Sequence, residues 1–130
     1  MPESFLVIDD SKLLHQMYRL IFSQGDLAGS TVHYAANGRE GYAMLAAHPE
    51  LTLVLLDLRM PDMDGVAFLR ELRSSPRLRM LPVVLTTVEP DGSPMLVEAT
   101  GLGVTAVVKK PWKPQHLRQV VQTALSAPGR

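Results

Sequence analysis

The sequence predicts an α/β fold, a parallel β-sheet covered on both faces by helices, in the order βαβαβαβαβα. Three observations predict it. Short apolar runs alternate with stretches whose apolar residues recur at helical spacing. The runs are apolar throughout, as strands buried on both faces are. Helix-start and helix-stop residues punctuate the joins.

The elements follow in order. "FLVI" (5–8) is the first strand, and Asp9-Asp10 close it. Ser11 stands at a helix start, and Leu13, Leu14, Met17, Tyr18, Leu20 and Ile21 form the stripe behind it. "TVHYA" (31–35) mixes polar groups into a strand, which suits a sheet edge. Asn37 begins the second helix, striped by Tyr42, Leu45 and Ala46, and Pro49 ends it. "LTLVLL" (51–56) runs into Asp57, and Pro61, Asp62 and Asp64 mark a turn and a helix cap. Gly65 lets the chain enter a third helix striped by Val66, Leu69 and Leu72, with Pro76 beyond its end. "PVVLT" (82–86) leads to Thr87, and Ser93 opens a weaker helix of Met95, Leu96 and Ala99 that stops near Gly101. "TAVV" (105–108) ends in Lys109-Lys110-Pro111. After Lys113-Pro114, the residues Leu117, Val120, Val121, Ala124 and Leu125 fall at i, i+3, i+4, i+7, i+8. Residues 126–130, "SAPGR", form a flexible tail or the start of a linker.

Composition narrows the function. The 130 residues suit one domain, 1–130. Acidic and basic residues balance at 13 each, which argues against a nucleic-acid or polybasic membrane surface. There is no cysteine, so thiolate chemistry and disulfides are out, in keeping with a reducing compartment. No apolar run approaches the roughly 18 residues of a membrane span. The first strand begins too early for a secretory signal, so the expected location is cytoplasmic. The four histidines are scattered and show no metal-ligand spacing.

The chemistry gathers at strand ends. Asp9-Asp10, Asp57, Thr87 and Lys109-Lys110 terminate four of the five strands. In an open parallel sheet those ends share one rim, where ligands bind. Carboxylates ~5 Å apart repel by roughly 3 kcal/mol per pair at an effective dielectric near 20. A proton or a hard divalent cation relieves this, and Mg²⁺ suits a site with few carboxylates. A cation, an ammonium and a hydroxyl together can hold a phosphoryl group, and an aspartate can accept one as nucleophile.

"LVIDDS", "LVLLDLRMPDMDG", "PVVLTT" and "VVKKPW", in this order and spacing, resemble the response-regulator receiver domains of two-component signalling, of the chemotaxis-regulator type. The resemblance covers essentially the whole chain. It implies a flavodoxin-like, doubly wound, five-stranded parallel sheet of order 2-1-3-4-5 with five helices. It implies Asp57 as phosphoacceptor. Mg²⁺ would be held by Asp9, Asp10, Asp57 and the backbone carbonyl of Arg59. Lys110 and Thr87 would contact the phosphoryl group, and the Lys110–Pro111 bond would be cis. Thr86 would be an ordinary strand residue and Lys109 a solvated edge residue. The phosphoryl donor would be a histidine kinase or a histidine phosphotransfer protein. The downstream side would be a protein partner or an output domain absent from these residues.

Three features depart from the family pattern. Val107 stands where an aromatic residue usually does, so readout by an aromatic swing is not expected. Val88 replaces the usual small residue after Thr87 and narrows the approach to Asp57. Arg59 and Glu89 carry opposite charges at the two positions flanking the phosphoacceptor and Thr87, so they can pair across the site. Trp112 replaces a phenylalanine and is assigned to packing. His15, on the first helix, reads as an ordinary surface histidine in preference to part of a kinase-docking surface.

Three other functions compete. A degenerate receiver would bind partners without phosphorylation. An aspartate-nucleophile phosphatase would need a second acid two residues after Asp57, where Arg59 stands, so no enzyme acting on external phosphoesters is expected. A flavodoxin-like nucleotide-binding module would need a glycine-rich phosphate loop after the first strand, and none follows it.

Overall fold

The computed structural model describes residues 3–60 and 64–126. Five strands, β1 (Ser4–Ile8), β2 (Thr31–Ala35), β3 (Leu53–Asp57), β4 (Val83–Thr87) and β5 (Ala106–Lys109), form one parallel sheet of order β2-β1-β3-β4-β5. Five helices alternate with them: α1 (Lys12–Ile21), α2 (Gly38–Ala47), α3 (Gly65–Ser74), α4 (Pro94–Gly101) and α5 (Pro114–Leu125). A short 3₁₀ turn, Gly25–Leu27, precedes β2. The fold class and strand order are those expected. β2 lies at an edge, where its mixed polarity is tolerated.

Helix starts follow from capping chemistry. Side-chain oxygens of Ser11, Asn37, Asp64 and Ser93 accept from the backbone N–H groups of Leu14, Glu40, Ala67 and Leu96, each satisfying a donor the helix cannot. Lys113 precedes α5 without a side-chain cap, and Pro114 supplies the helical φ at the first turn. Ser126 is the C-cap of α5. Residues 127–130 of the expected tail, and Pro61 and Asp62 of the expected turn, lie outside the described residues.

The sheet divides the core. Leu6, Ile8, Leu56 and Leu85 face the α2/α3/α4 side with Phe68, Leu69, Leu72, Leu96 and Ala99. Phe5, Val7, Leu55 and Val84 face the α1/α5 side with Tyr18, Ile21, Leu117 and Val121. Val107 packs, half-buried, against the first cluster. Trp112 packs against the second, its ring 5.3 Å from that of Tyr18, as a packing residue would.

Two stripes bury less than their hydrophobicity implies. In α1 only Tyr18 and Ile21 are buried, while Leu13 is 69% and Leu20 64% exposed. In α2 the inner face is Gly38, Gly41 and Leu45, and Ala46 points outward. A Cβ on Gly41 would come within 2.7 Å of Ile8 Cδ1, so the glycine sets how closely α2 approaches the sheet.

Candidate functional site

The C-terminal rim of the sheet gathers the predicted groups. β1 and β3 are neighbours, so Asp9, just beyond β1, comes beside Asp57 at the end of β3. β4 and β5 then bring Thr87 and Lys110 alongside: the Lys110 N–H donates to the Thr87 carbonyl at 2.8 Å. The Lys110–Pro111 peptide is cis.

Lys110 ties the centre together. Its ammonium lies 2.9 Å from Asp9 Oδ2 and 3.4 Å from Asp57 Oδ2. Asp9 and Asp57 are buried and Asp10 is exposed. One carboxylate oxygen from each of Asp9, Asp10 and Asp57 falls within 4.8 Å of the others. Asp9 Oδ1 accepts from the Ser11 N–H at 2.9 Å, which fixes its plane at the mouth of α1. Asp57 Oδ1 accepts from the Arg59 N–H at 3.3 Å. His15 is half-buried rather than a surface residue. Its Nε2 lies 2.6 Å from the Asp9 carbonyl and its ring packs on Tyr34, bracing the loop after β1.

These surroundings oppose one another at Asp57. Burial raises its pKa most, and the Asp9 charge adds to that. Lys110 and the Arg59 N–H pull it down, and the net displacement is upward. Three carboxylates against one ammonium leave negative charge in a partly dry site. Such an all-oxygen donor set fits a hard divalent cation.

Gly65 has a steric reason. A Cβ there would lie 2.6 Å from Leu58 Cα and 2.8 Å from the Asp57 carbonyl oxygen. Its N–H donates to the Leu58 carbonyl at 2.7 Å. The start of α3 therefore packs directly on the backbone that carries Asp57.

The rim around the centre is charged and paired. Arg59 reaches Glu89 at 3.0 Å, as their charges suggested; the Glu89 side chain is 11% exposed. The Glu89 N–H donates to Thr87 Oγ1 at 2.9 Å, so Thr87 is buried with its hydroxyl hydrogen free of that bond. Lys109 is more engaged than a solvated edge residue. It pairs with Asp91 at 3.0 Å and donates to the Glu89 carbonyl, holding the β4–α4 loop. Thr86, buried in β4, pairs in register with Asp57. Val88 is exposed.

The family model for the response regulator receiver domain matches residues 5–122. The chain belongs to the response-regulator receiver family. The receiver domain is similar to chemotaxis protein CheY1 of Helicobacter pylori, with 28% identity over 120 residues, 92% of this chain and 94% of that protein. It is 36% identical over 121 residues to regulatory protein AtoC of Escherichia coli, covering 92% of this chain and 24% of that protein. Among solved structures it resembles the receiver domain of a signal transduction histidine kinase from Syntrophus aciditrophicus: TM-score 0.84, 30% identity, 98% of this chain and 93% of that one. It also resembles Vibrio cholerae chemotaxis protein CheY4, with TM-score 0.82, 29% identity and 95% and 99% coverage. No helix among the described residues of the receiver domain is long and apolar enough to cross a membrane.

Proposed function

We propose that this receiver domain is a phosphorylation-controlled switch that accepts a phosphoryl group on Asp57 from a histidine kinase or a histidine phosphotransfer protein. One observation carries the reading: a single ammonium, Lys110, bridges Asp9 and Asp57 at 2.9 and 3.4 Å, with Asp10 completing a compact trio of carboxylates.

The transfer forms an Asp57 Oδ–phosphorus bond and breaks the phosphorus–nitrogen bond of the donor phosphohistidine, whose imidazole leaves. Such transfers pass through a loose transition state, and the protein contributes position and charge. Asp57 is held by its bond from the Arg59 N–H and presents its other oxygen toward Lys110. Lys110 would shift from the carboxylates to the phosphoryl oxygens. Thr87 would donate its hydroxyl to the same group. Asp9, Asp10, Asp57 and the Arg59 carbonyl would hold Mg²⁺. When bound, that ion neutralises negative charge between the carboxylates and the transferred group.

The donor would dock over the rim and α1, where Leu13, Met17 and Leu20 stand exposed. Phosphorylation shifts a pre-existing equilibrium by stabilising one state more than the other. The readout face would be α4, β5 and α5, working through packing around Val107 rather than a swinging ring. The domain would act in the cytoplasm, through a protein partner or an output domain elsewhere in a longer protein, and would have no turnover on external phosphoesters.

The test is incubation with acetyl phosphate and Mg²⁺ followed by intact-protein mass spectrometry. The expected result is one added PO₃ that Asp57→Asn abolishes, with no hydrolysis of p-nitrophenyl phosphate. Absence of the adduct at saturating donor would leave a phosphorylation-independent interaction module as the better account.

A further inference from the structure

A second cluster of ligand atoms lies away from the carboxylates. His33 sits in the edge strand β2, in register with Leu6 of β1 and on the same face as Ala35. His48 is the C-cap of α2, its N–H bonded to the Met44 carbonyl. The two imidazole rings stack with centroids 3.8 Å apart. The Leu51 N–H then donates to the His48 carbonyl at 3.2 Å, closing a turn that folds Glu50 back. Glu50 Oε2 lies 3.1 Å from His48 Nδ1. One ligand atom from each of His33, His48 and Glu50 falls within 4.8 Å of the others.

An independent observation at this cluster points to a ligand. His33 Nε2 is shielded from solvent and has no hydrogen-bond partner. A buried polar atom left unpaired costs on the order of 1–3 kcal/mol. Two like rings stacked face to face do not satisfy it, since neither donates to the other. Burial and the neighbouring His48 also hold the His33 ring below its ordinary pKa, against the pull of Glu50.

We propose that His33, His48 and Glu50 form a binding site for a zinc-class divalent transition-metal ion. Two imidazoles and one carboxylate are a ligand set that Zn²⁺ takes with water in the fourth position. Metal–ligand bonds of about 2.0–2.1 Å in a tetrahedron place ligand atoms about 3.4 Å apart. With the ligand atoms within 4.8 Å of one another, the cluster needs to contract by at most about 1.4 Å to reach that spacing. Glu50 is 57% and His48 30% exposed, so both side chains border solvent. The acidic trio, with oxygen donors only, prefers a harder ion. The ion would fasten the end of α2 and the turn after it to the edge strand, and so stabilise the native state by mass action.

The experiment titrates the full chain with Zn²⁺ against a chromophoric chelator, with excess Mg²⁺ present to occupy the carboxylate rim. One equivalent of zinc is expected. His48→Gln and Glu50→Gln should each weaken it at least tenfold, since even second-shell changes cost about 10–100-fold. Asp10→Asn should leave it unchanged. Imidazole NMR of the unmodified chain provides a readout that does not depend on the variants folding. Zinc should shift the His33 and His48 signals together and leave His116 in place. Zinc held equally well by both variants, zinc lost in Asp10→Asn, or histidine signals that do not move would each overturn the proposal.

Discussion

Lys110→Met removes the ammonium and keeps most of the stem. In the native protein the Lys110 side chain is 17% exposed and its ammonium faces Asp9 at 2.9 Å and Asp57 at 3.4 Å. At an effective dielectric near 20, each attraction is worth about 5–6 kcal/mol gross. The desolvation of the lysine offsets part of this. Removing one partner of a buried pair nets a loss of about 3–5 kcal/mol, because the remaining charge stays buried without compensation. Here two carboxylates are left, within 4.8 Å of each other. The loss is a large share of the roughly 5–15 kcal/mol that holds a domain together. Its pH dependence has a fixed sign. Lys110 holds the Asp57 pKa down against burial, so the substitution lifts the folded-state value further above the unfolded one. The native state then keeps the proton to higher pH, and stability falls as pH rises through that window. The cost should be smallest near about pH 4, the unfolded aspartate value, and full above the raised folded value. Urea unfolding of both proteins at several pH values, without divalent ions, measures it. Millimolar Mg²⁺ should recover part of the loss. A penalty below about 1 kcal/mol at neutral pH, the worth of a surface pair, would refute the reasoning.

Three further outcomes follow from the same geometry. Gly65→Ala places a methyl against the Asp57 and Leu58 backbone, so chemical denaturation should show a loss of about 1–3 kcal/mol together with slower phosphorylation. Arg59→Ala with Glu89→Ala removes a pair spanning the rim, and the lifetime of the phosphorylated form, followed by mass spectrometry, should change; the pair itself is worth only about 0.2–1 kcal/mol, so stability should barely move. Val88→Ala should speed reaction with acetyl phosphate in a discontinuous assay, and an unchanged rate would mean this exposed side chain does not restrict the approach to Asp57.

Much of this architecture is legible in the sequence because one residue type did one job. The three strands buried on both faces, β1, β3 and β4, are apolar runs. Ser11, Asn37, Asp64 and Ser93 cap helices by a local bond that needs no knowledge of the rest of the fold. The rim groups are legible because a charge at the end of an apolar strand is costly unless it is used. Where packing is decided by shape, the sequence is silent. The inner face of α2 is built on Gly41, which no hydrophobic stripe registers, and Leu13 and Leu20 carry apolar character to an open surface. Non-local pairings are equally hidden. His15 against the Asp9 carbonyl, Lys109 on Asp91, and His33 against His48 depend on how a strand and a helix end are folded together. Outside the phosphoacceptor centre, Arg59 and Glu89 are legible as a pair from their offsets to two rim residues.

The central claim is that the carboxylate at position 57, set between Lys110 and the acids at 9 and 10, takes up the phosphoryl group. Borohydride reduction after phosphorylation, with peptide sequencing by mass spectrometry, marks the modified side chain directly. Conversion of Asp57 alone to homoserine, dependent on both the donor and Mg²⁺, is the expected result. A mark on another residue, or none while Asp57 is intact and the donor saturating, would contradict it.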